Sequence, residues 1–252
     1  MAGNSSSPGA TVTSRALSLL GAFDQRHRML SLTELAARAS LPPPTAHRLV
    51  GELVEWGALT LLADGRYAIG RRLWDVGLLA PVQSGLRQAA SPFLHDVYAA
   101  TLATVHLAIR DRNQVLYLER LSGRASVPIV STVGSRLPLH CTGVGKVLLA
   151  FAPDAVQREV LQSRLRRVTR HTITAPGMLA EQLRRVRVEG YATTVEEMSL
   201  GACSVAVPIR QGSDVVASVG IVVPSLRRDR PRLVSALQVA ASGIERSLGG
   251  PL

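Results

Sequence analysis

His140-Cys141-Thr142-Gly143-Val144-Gly145-Lys146 places a ring nitrogen, a thiol, a hydroxyl, two glycines and an amine within one short stretch. A glycine-lysine pair of this kind is the material of a phosphate-cradling loop. That loop also needs a glycine five positions before Gly145 and a hydroxyl after the lysine, where this chain has His140 and Val147. Zinc would call on His140, Cys141 and Cys203, which do not stand in paired ligand spacing. The sequence contains neither a Gly-x-Ser-x-Gly elbow nor a His-Glu-x-x-His pair. Nucleophile, base and orienter never assemble, so no enzyme, no cofactor and no metal are expected. Lys146 then becomes a surface or helix-packing residue, Glu196-Glu197 a solvated turn, and Arg164, Arg166, Arg167 and Arg170 a solvated basic face.

Thr45, His47 and Arg48 suggest a different chemistry. A hydroxyl, an imidazole and a guanidinium near the front of one helix suit phosphate oxygens and base edges. The elements that must position them lie within residues 10–80. A first helix follows from the stripe Val12, Ala16, Leu19, Leu20 and Phe23, which Gly21 weakens without ending. Thr33 is the expected N-cap of a second helix, with Glu34 in its first turn and Leu35, Ala36 and Ala39 facing inward. Ser40-Leu41-Pro42 stops it. The third helix begins at Pro43 or Pro44, where a missing N–H costs nothing, buries Leu49, Val50, Leu53 and Val54, and closes at Gly57. Thr45, Ala46 and Arg48 then fall on its solvent-facing arc. Ala58–Leu62 and Arg66–Ile69 make a hairpin around Ala63-Asp64-Gly65, with Arg66 on its flank. Helix, turn, helix and hairpin in this order are a winged helix-turn-helix, which lays its third helix in the DNA major groove.

The formal charge of +11 adds less to this reading than it suggests. Residues 1–80 hold eight arginines against six acids, whereas residues 81–252 hold 21 basic residues against 12 acids. Most of the excess therefore lies outside the DNA-reading segment. Lys146 is the single lysine among 29 basic residues, a skew of arginine-rich background rather than of a binding surface. Two cysteines make no disulfide framework and fit a reduced, cytoplasmic compartment. No apolar run reaches the roughly 20 residues of a membrane span. Residues 1–10, rich in Ser, Gly and Pro, read as a disordered tail without a signal layout.

Beyond the hairpin, Arg71–Ala80 and about Val82–Ala100 read as linker helices, with a break at Pro81 and a cap and restart at Ser91-Pro92. From Thr104 the period changes. Thr104–Arg110, Gln114–Arg120, Val127–Val133, Tyr191–Val195, Ser204–Arg210 and Asp214–Pro224 read as strands. His140–Ala152, Pro153–Arg164, Ala175–Glu189 and Arg227–Leu248 read as helices. Mixed elements with antiparallel hairpins make an α+β sensor domain.

Three separated stretches carry a family resemblance: Leu41-Pro42 through His47-Arg48-Leu49, Leu137 through Lys146, and Gly190-Tyr191 through Glu196-Glu197 to Gly201 and Pro208. From Thr13 to Leu248 the chain resembles the isocitrate-lyase-regulator (IclR) type of bacterial transcription factor. The resemblance implies an N-terminal winged helix-turn-helix (11–71), linker helices (72–101) and a GAF-like C-terminal α/β domain (102–252) that binds a small metabolite. It also implies homodimers or homotetramers on palindromic operator DNA, with the DNA met by Pro44, Thr45, Ala46, His47, Arg48 and Arg66. Where family members often have a basic residue and a serine, this chain has Pro43 and Pro44. In the family, small oxo-acids are held by the backbone of a helix start, a carboxylate, a cysteine and two serines. The matching positions are Gly143 and Val144, Thr194, Ser204, and Gly220 with Val222, and Ala202 belongs to the same set. An anion at Gly143–Val144 suits a helix N-terminus. The opposite wall has lost polarity, so the expected ligand is an acid with a larger aromatic or aliphatic part. Repression and activation would use the same fold and differ in where the operator lies. Two other readings differ in what they predict on DNA. A small-molecule-binding or enzymatic domain with an N-terminal segment for protein contacts enriches no genomic site, and a general nucleoid binder shows no sequence preference.

Overall fold

In the computed structural model the described residues are 11–24, 27–79, 84–123, 127, 129–227 and 229–249. They divide into two compact units at residue 82. The first unit comprises α1 (Val12–Leu20), β1 (Met29–Leu30), α2 (Leu32–Arg38), α3 (Pro43–Trp56), β2 (Leu59–Leu61), β3 (Tyr67–Ile69) and α4 (Arg71–Leu78). Its three-stranded sheet has the order β1-β3-β2, so the expected hairpin gains a third strand that Met29 and Leu30, just before α2, supply.

Two helix ends differ from expectation. Gly21 does end α1: the Ala22 and Phe23 N–H groups turn back to the Leu19 and Leu20 carbonyls, which tightens the chain out of the helix. Ser31, not Thr33, caps α2. Its hydroxyl accepts the Glu34 N–H while the Glu34 carboxylate accepts the Ser31 N–H at 2.7 Å, a reciprocal pair that Thr33 has no glutamate to match. Helix α3 closes as expected on Gly57, whose φ of +85° favours a residue without Cβ. Leu19, Leu30, Leu35, Leu49, Val50 and Leu59 fill the core between the helices and the sheet.

The second unit comprises α5 (Ser84–Thr101), β4 (Thr104–Asp111), β5 (Gln114–Leu121), β6 (Arg136–Pro138), a 3-10 turn (Leu139–Cys141), α6 (Gly143–Ala150), α7 (Asp154–Gln162), α8 (Pro176–Glu189), β7 (Ala192–Val195), β8 (Cys203–Gln211), β9 (Asp214–Val223) and α9 (Arg230–Gly249). Pro92 neither caps nor restarts α5, which runs through it. Pro92 and Gln88 are both exposed, so the Gln88 carbonyl that proline cannot serve faces water. The expected break at Pro81 lies outside the described residues.

The six strands form one antiparallel sheet, β6-β5-β4-β9-β8-β7. Alternation along each strand sends side chains to two cores. Val105, Leu107, Val205, Val219 and Ile221 pack with α5 and α9. Ala108, Val115 and Ala206 pack with α6 and α8 on the other face. The strand expected at Val127–Val133 is not formed by residues 129–133. A turn at Thr132–Ser135, with Gly134 at φ +82°, sends the chain into β6 instead, and Pro128 lies outside the described residues. Among the described residues no helix is long and apolar enough to cross a membrane.

Candidate functional site

Helix α3 offers a proline-blocked end. Pro42 is the N-cap, and Pro43 and Pro44 fill the next two positions. Three of the four N–H groups that a helix start leaves free are therefore missing, and the Ala46 N–H already reaches the Pro42 carbonyl at 3.0 Å. Side chains must do most of the contacting. Pro44, His47 and Arg48 are exposed and Thr45 is half-buried on the same end. Ala46 is not among them: it is 0 % exposed in the core. Its spacing to Leu49, Val50 and Leu53 is three, four and seven residues, which puts it on the buried stripe rather than the outer arc. Arg48 is paired one turn on with Glu52 at 2.5 Å. Arg66, on the hairpin flank, is tied to Asp64 at 2.6 Å. Both arginines are exposed and held by weak surface pairs that a phosphate could displace.

The second unit has a cavity of about 50 Å³ at the N-terminus of α6. A buried water needs some 10–15 Å³, so this is room for about four water-sized groups. Gly143, Val144, Thr194, Ala202, Ser204, Gly220 and Val222 all line it. Strand register explains the meeting. Thr194 pairs with Ser204 and Ser204 with Val222, so one row crosses β7, β8 and β9. His106 and Ala206 both pair with Gly220, which makes the next row. At α6 the Thr142 hydroxyl takes the Gly145 N–H at 3.2 Å. The N–H groups of Gly143 and Val144 therefore remain as the first-turn donors beside the cavity. Helix and sheet touch closely here: a Cβ on Gly220 would meet Val144 Cγ1 at 2.9 Å, and one on Gly143 would meet Ser204 Oγ at 2.5 Å.

The polar lining is already paired. Thr194 Oγ1 and Ser204 Oγ share a hydrogen bond of 2.6 Å. His106 Nε2 and Ser131 Oγ share one of 2.9 Å, and the Arg120 guanidinium donates to the Ser131 carbonyl at 3.0 Å. The His106 ring meets Tyr117 edge-on, with centroids 4.9 Å apart. Burial, helped by Arg120, pushes His106 from 6.5 down to about 3. Burial also raises the Tyr117 hydroxyl. Ile129, Val130 and Met198 supply apolar wall. Sequence reasoning missed these residues. The alternation Thr104, His106, Ala108 puts His106 on the cavity face of β4, a usable signal, whereas nothing local marks residues 129–131 as lining.

His106 should make this unit acid-sensitive. An unfolded imidazole takes its proton as pH falls through 6.5, while the folded one stays neutral down to about 3. The stability this group contributes is whole above 6.5 and is lost progressively below it, at about 1.4 kcal/mol per pH unit at most. Urea midpoints between pH 7.5 and 4.5 should fall less steeply in His106→Gln than in wild type, and equal slopes would exclude the effect.

Glu197 corrects the sequence expectation most sharply, and Lys146 takes the packed one of its two expected roles. Neither is a solvated group: the side chains are 1 % and 6 % exposed and meet at 2.5 Å. They lie 51 positions apart in the chain, so no local pattern announces the pair. The Cys141 thiol is pushed up to about 12 by burial, which leaves it unreactive. Among the described residues no group of three or more His, Cys, Asp or Glu side chains is placed to hold a metal.

Residues 12–62 match the IclR helix-turn-helix domain, and residues 80–246 match the IclR C-terminal domain of bacterial transcriptional regulators. The chain belongs to the IclR family. It is 30% identical over 243 residues to the HTH-type transcriptional regulator XynR of Escherichia coli, covering 94% of this chain and 96% of that one. It is 31% identical over 242 residues to the glycerol operon regulatory protein of Streptomyces coelicolor, covering 93% and 95%. An IclR homolog from Microbacterium hydrocarbonoxydans, crystallised with 4-hydroxybenzoate, shares 35% identity at a TM-score of 0.90 over 94% of this chain and 99% of that one. This IclR-family chain is thus a DNA-binding transcriptional regulator, with an N-terminal helix-turn-helix domain and a C-terminal α/β domain.

Proposed function

We propose that an organic acid seated in the α6 cavity sets how tightly a dimer or tetramer of this chain holds a palindromic operator. The observation that carries the reading is the meeting of seven residues, scattered from 143 to 222, on one cavity at a helix start. The acid's carboxylate faces the Gly143 and Val144 N–H groups and the positive end of α6. Its body lies against Met198, Ala202 and Val222, and the Thr194–Ser204 hydroxyl pair, which lies close to Gly143, supplies further hydrogen bonds at the carboxylate end. An aromatic acid such as the 4-hydroxybenzoate held by the Microbacterium relative matches this apolar wall in character, and seating it requires the cavity to widen beyond its present volume of about 50 Å³. On the DNA side, Pro44, Thr45, His47 and Arg48 enter the major groove and Arg66 flanks it. Residues 11–71 form the DNA reader, 72–101 the linker and 102–252 the effector domain.

The chain acts by binding and not by catalysis. His106 and Ser131 resemble a base and a nucleophile, but an imidazole pushed down to about 3 is a poor base at neutral pH. No carboxylate contacts His106 among the described residues to orient it. Effector binding needs to favour one arrangement by only about 1–3 kcal/mol to change operator affinity 5–150-fold. Genomic capture should enrich a few palindromic sites, and 4-hydroxybenzoate should shift the affinity for one of them within that range. Enrichment of no site would sink the DNA half, and an operator affinity indifferent to every organic acid tried would sink the effector half.

A further inference from the structure

One buried ion pair joins two walls of the cavity from behind. Lys146 lies three residues beyond Gly143 on α6, and its Nζ donates to Glu197 Oε1 and to Gln182 Oε1 on α8, each at 2.5 Å. Burial lowers the ammonium and raises the carboxyl, while each partner pulls the other back toward its charged form. Taking such a pair out of water cancels most of its attraction, so it is a poor source of stability. Its geometry is more telling. Glu197 is followed directly by Met198 and Ser199, which line the cavity together with Ala202. Two threonines also hold the backbone of this loop. The Thr169 and Thr172 hydroxyls donate to the Glu196 and Glu197 carbonyls, each at 2.7 Å. The Glu196 carboxylate takes the Gly201 N–H at 2.6 Å, and Glu196 holds a φ of +54°. The loop therefore has hydroxyl braces on its backbone and a buried charged tether on a side chain, and the tether runs to the helix that begins the cavity.

We propose that the Lys146–Glu197 pair is a clasp that sets the cavity's width by holding the Met198–Ala202 wall at a fixed reach from the Gly143–Val144 N–H groups. It is a positioning pair, since neither side chain lines the cavity with them. Its effect on acid binding rests on the effector reading above, but its effect on the loop does not.

The test uses the full chain with Lys146→Met/Glu197→Met, which keeps the packing volume and discards the charge-assisted bonds, and with Glu197→Gln in case the double variant does not fold. Without ligand, hydrogen exchange at residues 198–202 should quicken about tenfold or more, while the β8 and β9 amides keep their protection. Calorimetry with 4-hydroxybenzoate should show affinity about tenfold weaker than wild type. Unchanged exchange at 198–202 overturns the clasp. Uniform quickening across the sheet also overturns it, because that is the mark of stability alone. Local quickening with unchanged affinity overturns its control of the cavity. If wild type does not bind 4-hydroxybenzoate, that failure belongs to the effector reading, and the exchange data still decide whether the clasp exists.

Discussion

Gly143→Ala is expected to weaken acid binding by about ten- to a hundredfold, roughly 1.4–2.8 kcal/mol, and to leave operator affinity of the ligand-free protein unchanged. Gly143 sits at the first position of α6 with no positive φ, so alanine brings no backbone strain. The cost comes from space. The new Cβ would stand 2.5 Å from Ser204 Oγ, with Ser204 Cβ and Ala206 Cβ at 3.4 and 3.5 Å. The hydroxyl can swing away, but only by giving up its 2.6 Å bond to Thr194. The methyl then occupies part of a cavity of only about 50 Å³, beside the two N–H groups proposed to face the carboxylate. Because the displaced atom is identified, so is the rescue: Gly143→Ala/Ser204→Gly removes the obstructing hydroxyl and should recover part of the lost affinity. Isothermal titration with 4-hydroxybenzoate measures both. Wild-type affinity in Gly143→Ala would place the acid elsewhere. Loss without any rescue would mean that the methyl acts on the N–H donors and not through Ser204.

The winged helix was legible because its signals are local. Gly57 has to end a helix whatever the rest of the chain does, and Ala63-Asp64-Gly65 has to turn. Local reasoning failed where two local solutions compete. Thr33 is a good cap by type, but Ser31 has a glutamate three residues on and Thr33 does not. Ala46 is small and lies between Thr45 and His47, so type alone did not separate the buried arc from the exposed one, whereas its spacing to Leu49, Val50 and Leu53 would have. The cavity was legible through a resemblance whose residue correspondences fell on one spot, and strand register accounts for that convergence after the fact. Glu197 was misjudged, and Lys146 was left open between surface and packing, for a physical reason. Charged types are expected outside, and the partner that makes burial tolerable is visible only once the chain has folded.

Arg48→Ala should cost about 1–3 kcal/mol of operator binding per half-site if the guanidinium reads a guanine edge, with the fold intact. The fold survives because the side chain packs against nothing in the core. Arg48 is exposed, contributes nothing to the core, and its pair with Glu52 is an exposed contact one helical turn long. Such pairs are worth a few tenths of a kcal/mol. The large loss of binding comes from the prolines. With Pro42, Pro43 and Pro44 at the helix start, the backbone N–H groups that usually grip a phosphate are mostly absent, so the side chains behind them carry a larger share of both affinity and register. Glu52 sharpens the test. In the free protein it holds the guanidinium, and in the proposed complex its own charge would lie close to the phosphates. Glu52→Gln should therefore raise affinity modestly, and by less in an Arg48→Ala background, where only the carboxylate's own charge is relieved. Gel shifts across a salt series separate the two possible roles. A base contact loses specificity at one operator position with little change in salt slope, whereas a phosphate contact lowers the slope by about one and weakens all sequences alike. Operator affinity unchanged by Arg48→Ala at every salt concentration would remove α3's front end from the groove.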